Sequence, residues 1–83
     1  MKITVKATGR LVRFLPPEAT GKTAPLEVSA GATPSDVIRQ LGMPEDGSYL
    51  VVLNGSSVPS AERASRPLAE SDNLAIMPPL KGG

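Results

Sequence analysis

Hydrophobic and polar residues alternate at the start of the chain. Ile3, Val5 and Ala7 would all point to one side of an extended backbone, because successive side chains of a strand project to opposite faces. Residues 2–7 therefore predict a β-strand with one buried face.

The stretch from Gly9 to residue 29 has a less regular pattern. The apolar residues between Gly9 and Pro17 fit either a helical turn or an irregular strand, and the proline pair at 16 and 17 ends the element in both cases. Residues 18–25 combine glycine, proline and threonine and predict a loop. Alternation returns in residues 26–29, which predict a second strand.

A helix start signal lies at Thr33-Pro34-Ser35-Asp36. Threonine can accept a hydrogen bond from a free amide, proline suits the first helical position, and an acid three residues after the threonine completes a capping box. Val37, Ile38 and Leu41 follow at helical spacing and predict a narrow buried stripe. Gly42, with a proline two residues later, is expected to end the helix after about two turns.

The second half of the chain contains two strongly apolar runs. Residues 49–53 predict a strand that is covered on both faces or runs through the middle of a sheet. Asn54-Gly55 predicts a tight turn, and the proline-interrupted stretch after it allows at most a short edge strand near Ser57-Val58. Residues 74–77 predict the last strand, which Pro78-Pro79 ends.

This order of elements predicts an α+β fold of the β-grasp type. A crossover through one main helix would lay that helix over one face of a mixed β-sheet, with the first and last strands side by side at the centre. A chain of 83 residues has room for one hydrophobic core. Residues 1–83 are therefore expected to form a single domain, with residues 79–83 protruding as a C-terminal tail.

Composition argues against several classes of function. The sequence has no cysteine and no histidine, so we expect neither a bound metal nor a catalytic site. Nine basic and eight acidic residues give a net charge of +1, and there is only one Phe and one Tyr, which argues against nucleic-acid binding. Neither a membrane span nor a signal peptide is indicated, so the expected location is the cytoplasm.

The sequence does not determine what contacts the second face of the last predicted strand. If every other residue points at the helix, Ala75 and Met77 must face the uncovered side of the sheet. Together with Pro78 and Pro79 they would form an apolar docking surface for a partner, leading into the tail. Packing beneath the loop 59–67 is the alternative, and the sequence does not choose between the two.

The C-terminal tail has an unusual composition. Two prolines stiffen the exit from the last strand, and the four residues Leu80, Lys81, Gly82 and Gly83 can then extend about 13 Å. Because glycine has no Cβ, the last two residues could thread a narrow channel and bring the terminal carboxylate close to another protein's catalytic groups. A flexible end without function is the alternative, but direct attachment to a core strand favours function.

Five segments spread along nearly the whole chain carry a resemblance to a known family. They are Gly31-Ala32-Thr33-Pro34, Leu41-Gly42-Met43-Pro44, Leu53-Asn54-Gly55, residues 67–72 and the ending Pro78-Pro79-Leu80-Lys81-Gly82-Gly83. With them the chain resembles the MoaD/ThiS family of ubiquitin-like sulfur carrier proteins. In its length and its proline pair the chain is more similar to the small subunit of molybdopterin synthase than to thiamin carriers. Lys81, a basic residue before the two glycines, resembles the corresponding residue of ubiquitin-like modifiers.

The resemblance implies chemistry that partner enzymes perform on this protein. An E1-like adenylating enzyme would use ATP and magnesium to convert the Gly83 carboxylate to an acyl-adenylate, while Leu80, Lys81 and Gly82 thread its channel. A sulfur donor would then displace AMP and leave a C-terminal thiocarboxylate. The sulfur would pass to an acceptor enzyme of molybdenum cofactor biosynthesis, similar to the large subunit of molybdopterin synthase, or to one similar to thiazole synthase.

Two other functions use the same tail. A ubiquitin-like modifier would be joined through Gly83 to lysines of target proteins. A β-grasp interaction subunit would dock its tail in a partner without covalent chemistry. In all three cases the chain itself would bind no cofactor and catalyse no step.

Overall fold

The computed structural model describes residues 1–43 and 49–78. Over these residues the chain forms a five-stranded sheet, one α-helix and two short 3-10 helices. The strands are β1 (Lys2–Ala7), β2 (Thr23–Glu27), β3 (Leu50–Leu53), β4 (Ser56–Ser57) and β5 (Asn73–Met77). The helices are α1 (Pro34–Gln40) and the 3-10 helices η1 (Gly9–Phe14) and η2 (Ser60–Glu62).

The sheet is mixed and has the strand order β2-β1-β5-β3-β4. β1 and β5 pair in parallel at its centre, and the other three pairs are antiparallel. The predicted pairing of the first and last strands is thereby confirmed, and with α1 packed on one face the fold is the predicted α+β β-grasp. Because β1 and β5 run in the same direction, the chain leaves both strands at the same end of the sheet.

The hydrophobic core lies between the sheet and α1. Alternate residues of β1 and β5 point into it, as their patterns predicted, and meet the apolar residues of α1. The central members are Ile3, Val5, Ala7, Val37, Ile38, Leu74 and Ile76, with Leu41 partly buried beside them. Complete burial of one of the larger aliphatic side chains is worth about 1.5–3 kcal/mol.

α1 begins where the sequence predicted. The Thr33 hydroxyl accepts a hydrogen bond from the Asp36 backbone N–H at 3.3 Å, and the Asp36 carboxylate accepts one from the Thr33 N–H at 3.0 Å. This reciprocal capping box pairs two amides that have no partner within the helix. Gly42 follows the helix in the left-handed region at φ 80°, whereas Pro44, also expected to contribute, lies outside the described residues.

β2 differs from its prediction at both ends. The sequence predicts a loop over 18–25 and a strand over 26–29, but β2 runs over Thr23–Glu27 and contains Pro25. Proline usually interrupts a sheet because it has no N–H to donate. It is tolerated here because β2 is an edge strand and the register, with Pro25 opposite Thr4, directs the proline nitrogen to the unpaired edge.

The free edge of β2 offers few groups to an additional strand. The backbones of Thr20 and Thr23 exchange two hydrogen bonds, of 2.8 and 3.3 Å. Gln40 Nε2 donates to the carbonyl of Glu27 at 2.9 Å, and Pro25 has no N–H. Because strand addition requires such groups to be unpaired, partners are expected to bind a face of the sheet rather than this edge.

Three other elements refine the sequence predictions. The sequence allowed either a helical turn or an irregular strand after Gly9, and the structure shows a helical element: residues 9–14 form the 3-10 helix η1, which buries Leu11. β3 runs through the sheet between β5 and β4, but only one of its faces is covered, because Leu50 remains 41% exposed. β4 is the predicted short edge strand, one residue earlier than expected.

The turn between β3 and β4 is formed by Asn54-Gly55, as predicted. Their φ values of 50° and 88° are the positive pair that a two-residue hairpin turn requires. Asn54 also makes contacts that the sequence did not indicate: its side chain donates to Asp72 Oδ1 at 3.0 Å and accepts from the Asn73 N–H at 2.8 Å. The turn is thereby tied to the beginning of β5.

Candidate functional site

β5 presents different side chains to the two faces of the sheet. The two residues that point to α1 are fully buried, whereas Ala75 and Met77 point to the opposite face and are half-buried. Pro78, directly after the strand, is also half-buried. Of the four residues predicted to dock a partner, these three lie on the uncovered face or at its end, and Pro79 lies outside the described residues.

β3 extends this apolar surface. The antiparallel register places Leu50 opposite Met77 and Val52 opposite Ala75, and residues directly opposite in paired strands project to the same face. We name these four residues the open-face patch. Among the residues that the structure describes, Leu50 is the one large hydrophobic side chain that is exposed. One exposed and three half-buried apolar side chains therefore lie side by side on this face, and apolar surfaces that remain accessible are where proteins bind partners.

Polar residues border the open-face patch on both sides. Lys6 on β1 lies opposite Ala75, and Ser57 on β4 lies opposite Val52. Both are exposed, and Lys6 makes no ion pair within residues 1–43 and 49–78. An apolar centre with a polar border is the usual organisation of a protein interface.

The loop after β4 is bound to the other side of the sheet. Its Arg63 carbonyl accepts a hydrogen bond from the Ser35 N–H of α1 at 3.0 Å, and the Leu68 N–H donates to the Ala32 carbonyl at 2.7 Å. Leu68 is buried in the core beneath the helix. These contacts hold the loop on the α1 side of the sheet, opposite to the open-face patch, and give no support to packing of Met77 beneath it.

The segment that the sequence predicts to be reactive follows Pro78 along the chain. Leu80, Lys81, Gly82 and Gly83 lie outside the described residues, and so the structure does not place the predicted reactive end. β5, which leads into them, is an interior strand paired with both β1 and β3. The chain therefore leaves the sheet at Pro78 from its centre, beside Met77.

The contacts that shift ionisation lie away from the tail exit. The ammonium group of Met1 donates to Glu27 Oε2 at 2.7 Å. This hydrogen bond raises the pKa of the ammonium group and lowers the pKa of the Glu27 carboxyl. Both groups lie where β1 begins, at the end of the sheet opposite to Pro78, so this pair is not part of the candidate site.

Among the described residues there is neither a candidate metal site nor a membrane-spanning helix. No three side chains among their aspartates and glutamates are grouped so that they could hold a metal ion. No helix in this part of the chain has the length and apolar character to cross a membrane. The candidate site therefore consists of the open-face patch and the strand exit next to it.

Two members of the open-face patch, Leu50 and Val52, were not among the predicted docking residues. Their run of apolar neighbours favoured burial on both faces, which hid the alternation within β3. The signal that could have found them is pairing: once β3 lies antiparallel to β5, alternate residues of the two strands must share a face.

Comparisons with known proteins agree with this geometry. Residues 12–83 match the sequence model of the ThiS family, and no significant match to a curated protein was found. Similar solved structures include small archaeal modifier protein 1 from Haloferax volcanii, with 22% identity over 95% of this chain and 98% of that chain and a TM-score of 0.69. The same protein from Methanosarcina acetivorans has 24% identity over 99% of this chain and 96% of that chain and a TM-score of 0.66. Another is the complex of subunits 1 and 2 of the molybdopterin-converting factor from Helicobacter pylori 26695, with 17% identity over 100% of both chains and a TM-score of 0.63. Because these sequence identities are low, the similarity shows that this chain has the same β-grasp fold as those proteins and nothing more.

Proposed function

The chain belongs to the ThiS family of ubiquitin-like carrier proteins, and we propose that it carries sulfur on the carboxylate of Gly83. The observation that supports this proposal most directly is the family match, which runs through to residue 83 and so includes Gly82-Gly83. The fold agrees with it, because an interior strand leads straight into this segment. In this proposal the chain is a substrate and carrier, not an enzyme.

The proposed chemistry begins with activation of a poor electrophile. A carboxylate oxygen of Gly83 attacks the α-phosphorus of ATP in the E1-like adenylating enzyme, and pyrophosphate leaves. Sulfide sulfur from a donor then attacks the acyl carbon, and AMP leaves with the bonding electrons. The product is a thiocarboxylate at the C-terminus, and the magnesium and the catalytic groups for both steps belong to the partner.

The open-face patch supplies the docking surface in this proposal. It is apolar at its centre, bordered by the cationic Lys6, and ends at Pro78, where the strand gives way to the tail. A partner that covers Leu50 and Met77 would hold the base of the tail and leave Leu80, Lys81 and Gly82 to enter its channel. The proposed docking residues remain Ala75, Met77, Pro78 and Pro79. We add Leu50 to them, because it lies opposite Met77 and is exposed.

The acceptor is proposed to be an enzyme of cofactor biosynthesis in the cytoplasm. The molybdopterin branch is favoured over the thiamin branch on the length of the chain and its Pro78-Pro79 pair. One structural neighbour is a complex of subunits 1 and 2 of a molybdopterin-converting factor, which agrees with a second subunit as acceptor. An enzyme similar to thiazole synthase remains the alternative within the same proposal.

Intact-mass spectrometry tests the proposal. The purified chain is incubated with the adenylating enzyme of its own organism, ATP, magnesium and a sulfur donor. We expect a mass gain equal to the exchange of one oxygen for sulfur, and none when ATP is omitted. A variant with one alanine added after Gly83 is the matched control and should gain nothing. No gain in the wild-type chain with the correct partners would contradict the proposal.

Protein modification is the second candidate function, favoured by one observation. Lys81 puts a basic residue before the glycine pair, as in ubiquitin-like modifiers. Immunoblots of cell extracts would then show thiol-resistant conjugates of higher mass that disappear when Gly83 is deleted. Full function of the chain with one residue added after Gly83 would instead favour a subunit that docks without covalent chemistry.

A further inference from the structure

A close contact joins the segment after β1 to the residue after β5. Gly9, the first residue of η1, has a φ of +59°, and a Cβ built on it would lie 3.0 Å from Pro78 Cγ and 3.6 Å from Pro78 Cδ. Non-bonded carbon atoms prefer separations of about 3.5–4.0 Å. The backbone at Gly9 therefore lies so close to the proline ring that a side chain at position 9 would require the ring to shift by a few tenths of an ångström.

This contact distinguishes Gly9 from the other glycines that the structure describes. Gly21, Gly31, Gly42 and Gly55 also have positive φ values, but a Cβ on any of them would meet nothing within 4 Å. Backbone conformation alone explains glycine at those four positions. At Gly9, conformation and close packing both require it.

The topology explains why these two residues meet. Ala7 of β1 lies opposite Ile76 of β5 in the parallel pair at the centre of the sheet. Gly9 and Pro78 each follow that pair by two residues. Two chain segments therefore leave the same end of the sheet side by side, and the proline ring fits between them without a shift because the facing residue has no side chain.

We propose that Gly9 is a positioning residue for the C-terminal segment. By packing against the Pro78 ring it fixes the direction in which the chain leaves the sheet at Pro78, and this direction would determine where the reactive carboxylate is delivered. This inference rests on the proposed function for the use of that segment. It gives Gly9, which lies 74 positions before Gly83 in the sequence, a part in positioning the tail.

A small displacement at Pro78 has a large effect at the chain end. Five residues can span about 17 Å when extended, so a rotation of about 10° at their base moves the end by about 3 Å. Misplacing a reacting group by about 1 Å can cost about a hundred-fold in rate. Because a partner's channel can realign part of the segment, we expect a fall of about five- to ten-fold in kcat/KM rather than complete loss.

Gly9→Ala and Gly21→Ala form a matched pair for the test. The two glycines have similar φ values of +59° and +65°, so alanine strains the backbone at both, but only at Gly9 does it press on Pro78. Adenylation is followed by ATP–pyrophosphate exchange with the adenylating enzyme, and the folded fraction by circular dichroism. We expect kcat/KM for the carrier to fall about five- to ten-fold in Gly9→Ala and less than two-fold in Gly21→Ala. Equal values for the two variants would overturn the proposal.

A double-mutant cycle with Pro78→Ala separates positioning from general strain. Without the ring, Gly9→Ala has nothing to displace, so in the Pro78→Ala background its effect on kcat/KM should fall to the less than two-fold change expected from backbone strain alone. An undiminished effect there would contradict the proposal. If Gly9→Ala folds poorly, Gly9→Asn replaces it, because asparagine tolerates the left-handed region at lower cost and still carries a Cβ.

A measurement without any partner keeps this inference separate from the proposed function. Amide resonances of Leu80 to Gly83 are compared by NMR in the wild type and the two glycine variants, together with the cross-peak between Gly9 Hα and the Pro78 ring. Gly9→Ala should shift the tail resonances, and Gly21→Ala should leave them in place. Unchanged tail resonances in Gly9→Ala would overturn the inference even if sulfur transfer is real, and a shift would support it even if no adenylation is found.

Discussion

Replacing Leu50 with serine should weaken docking while leaving the protein folded. Leu50 keeps 41% of its surface exposed, and complete burial of a leucine side chain is worth about 1.5–3 kcal/mol. The exposed share corresponds to about 0.6–1.2 kcal/mol, which is a rise of about three- to seven-fold in Kd for a partner that covers it. The share already buried predicts a loss of about 0.9–1.8 kcal/mol in the free energy of unfolding, below the stability of a typical domain.

Isothermal titration calorimetry with the adenylating enzyme measures this effect. Leu26→Ser is the matched control, because Leu26 is a partly buried leucine that packs against the core and lies opposite the buried Ile3, on the α1 side of the sheet. It should change the Kd less than two-fold at equal concentrations of folded protein. An unchanged Kd in Leu50→Ser, or equal weakening by both variants, would refute the assignment of the open-face patch as the docking surface.

Three further predictions follow from the capping box and from the protected edge. Thr33→Ala should lower the free energy of unfolding by about 1 kcal/mol in urea titrations, and Thr33→Ser should preserve it; equal stability of all three proteins would argue against the cap. The pKa of the Asp36 carboxyl is lowered below its ordinary 3.8 by hydrogen bonds from the Thr33 backbone and side chain, so its stabilising contribution is present above that pH and lost below it. The stability difference between wild type and Asp36→Asn should therefore shrink as the pH falls from about 5 to about 2, and a difference independent of pH would contradict this. Pro25→Val supplies an N–H at the free edge of β2 and should promote self-association in light scattering, whereas Pro17→Val, outside the strands, should not; monomers in both cases would count against edge protection.

Elements specified by neighbouring residues could be predicted from the sequence. The alternation that includes Val5 gave β1, the Thr33 to Asp36 signal gave the start of α1, and Asn54-Gly55 gave the hairpin turn. Each depends on contacts within a few residues, so the order of polar and apolar side chains carries the information. With these elements in order, the β-grasp arrangement followed.

Features that depend on distant partners could not be predicted. Pro25 by itself indicates a loop, and only the edge position of β2 makes a proline acceptable in the strand. Nothing local marks Arg63 as a residue whose guanidinium donates to the Tyr49 carbonyl and holds the loop against β3. The packing of Gly9 against Pro78 likewise arises from the parallel pairing of the two central strands, which a one-dimensional pattern does not contain.

The candidate site shows the same division. Its apolar members on β5 were found from alternation, because that strand is short and its buried face is unambiguous. Leu50 was missed because a continuous apolar run conceals which residues face outward. Only the register with Met77 reveals that the two side chains form one surface.

The position of the sulfur atom tests the central claim most directly. After incubation with ATP, the adenylating enzyme and a sulfur donor, the intact chain is weighed and then cleaved after Lys81, which separates Gly82-Gly83 from the rest. Our account predicts that the intact chain carries the gain of an oxygen-to-sulfur exchange and that every peptide up to Lys81 has its unmodified mass. Sulfur retained on a peptide that ends at Lys81, or no sulfur on the chain at all, would contradict it.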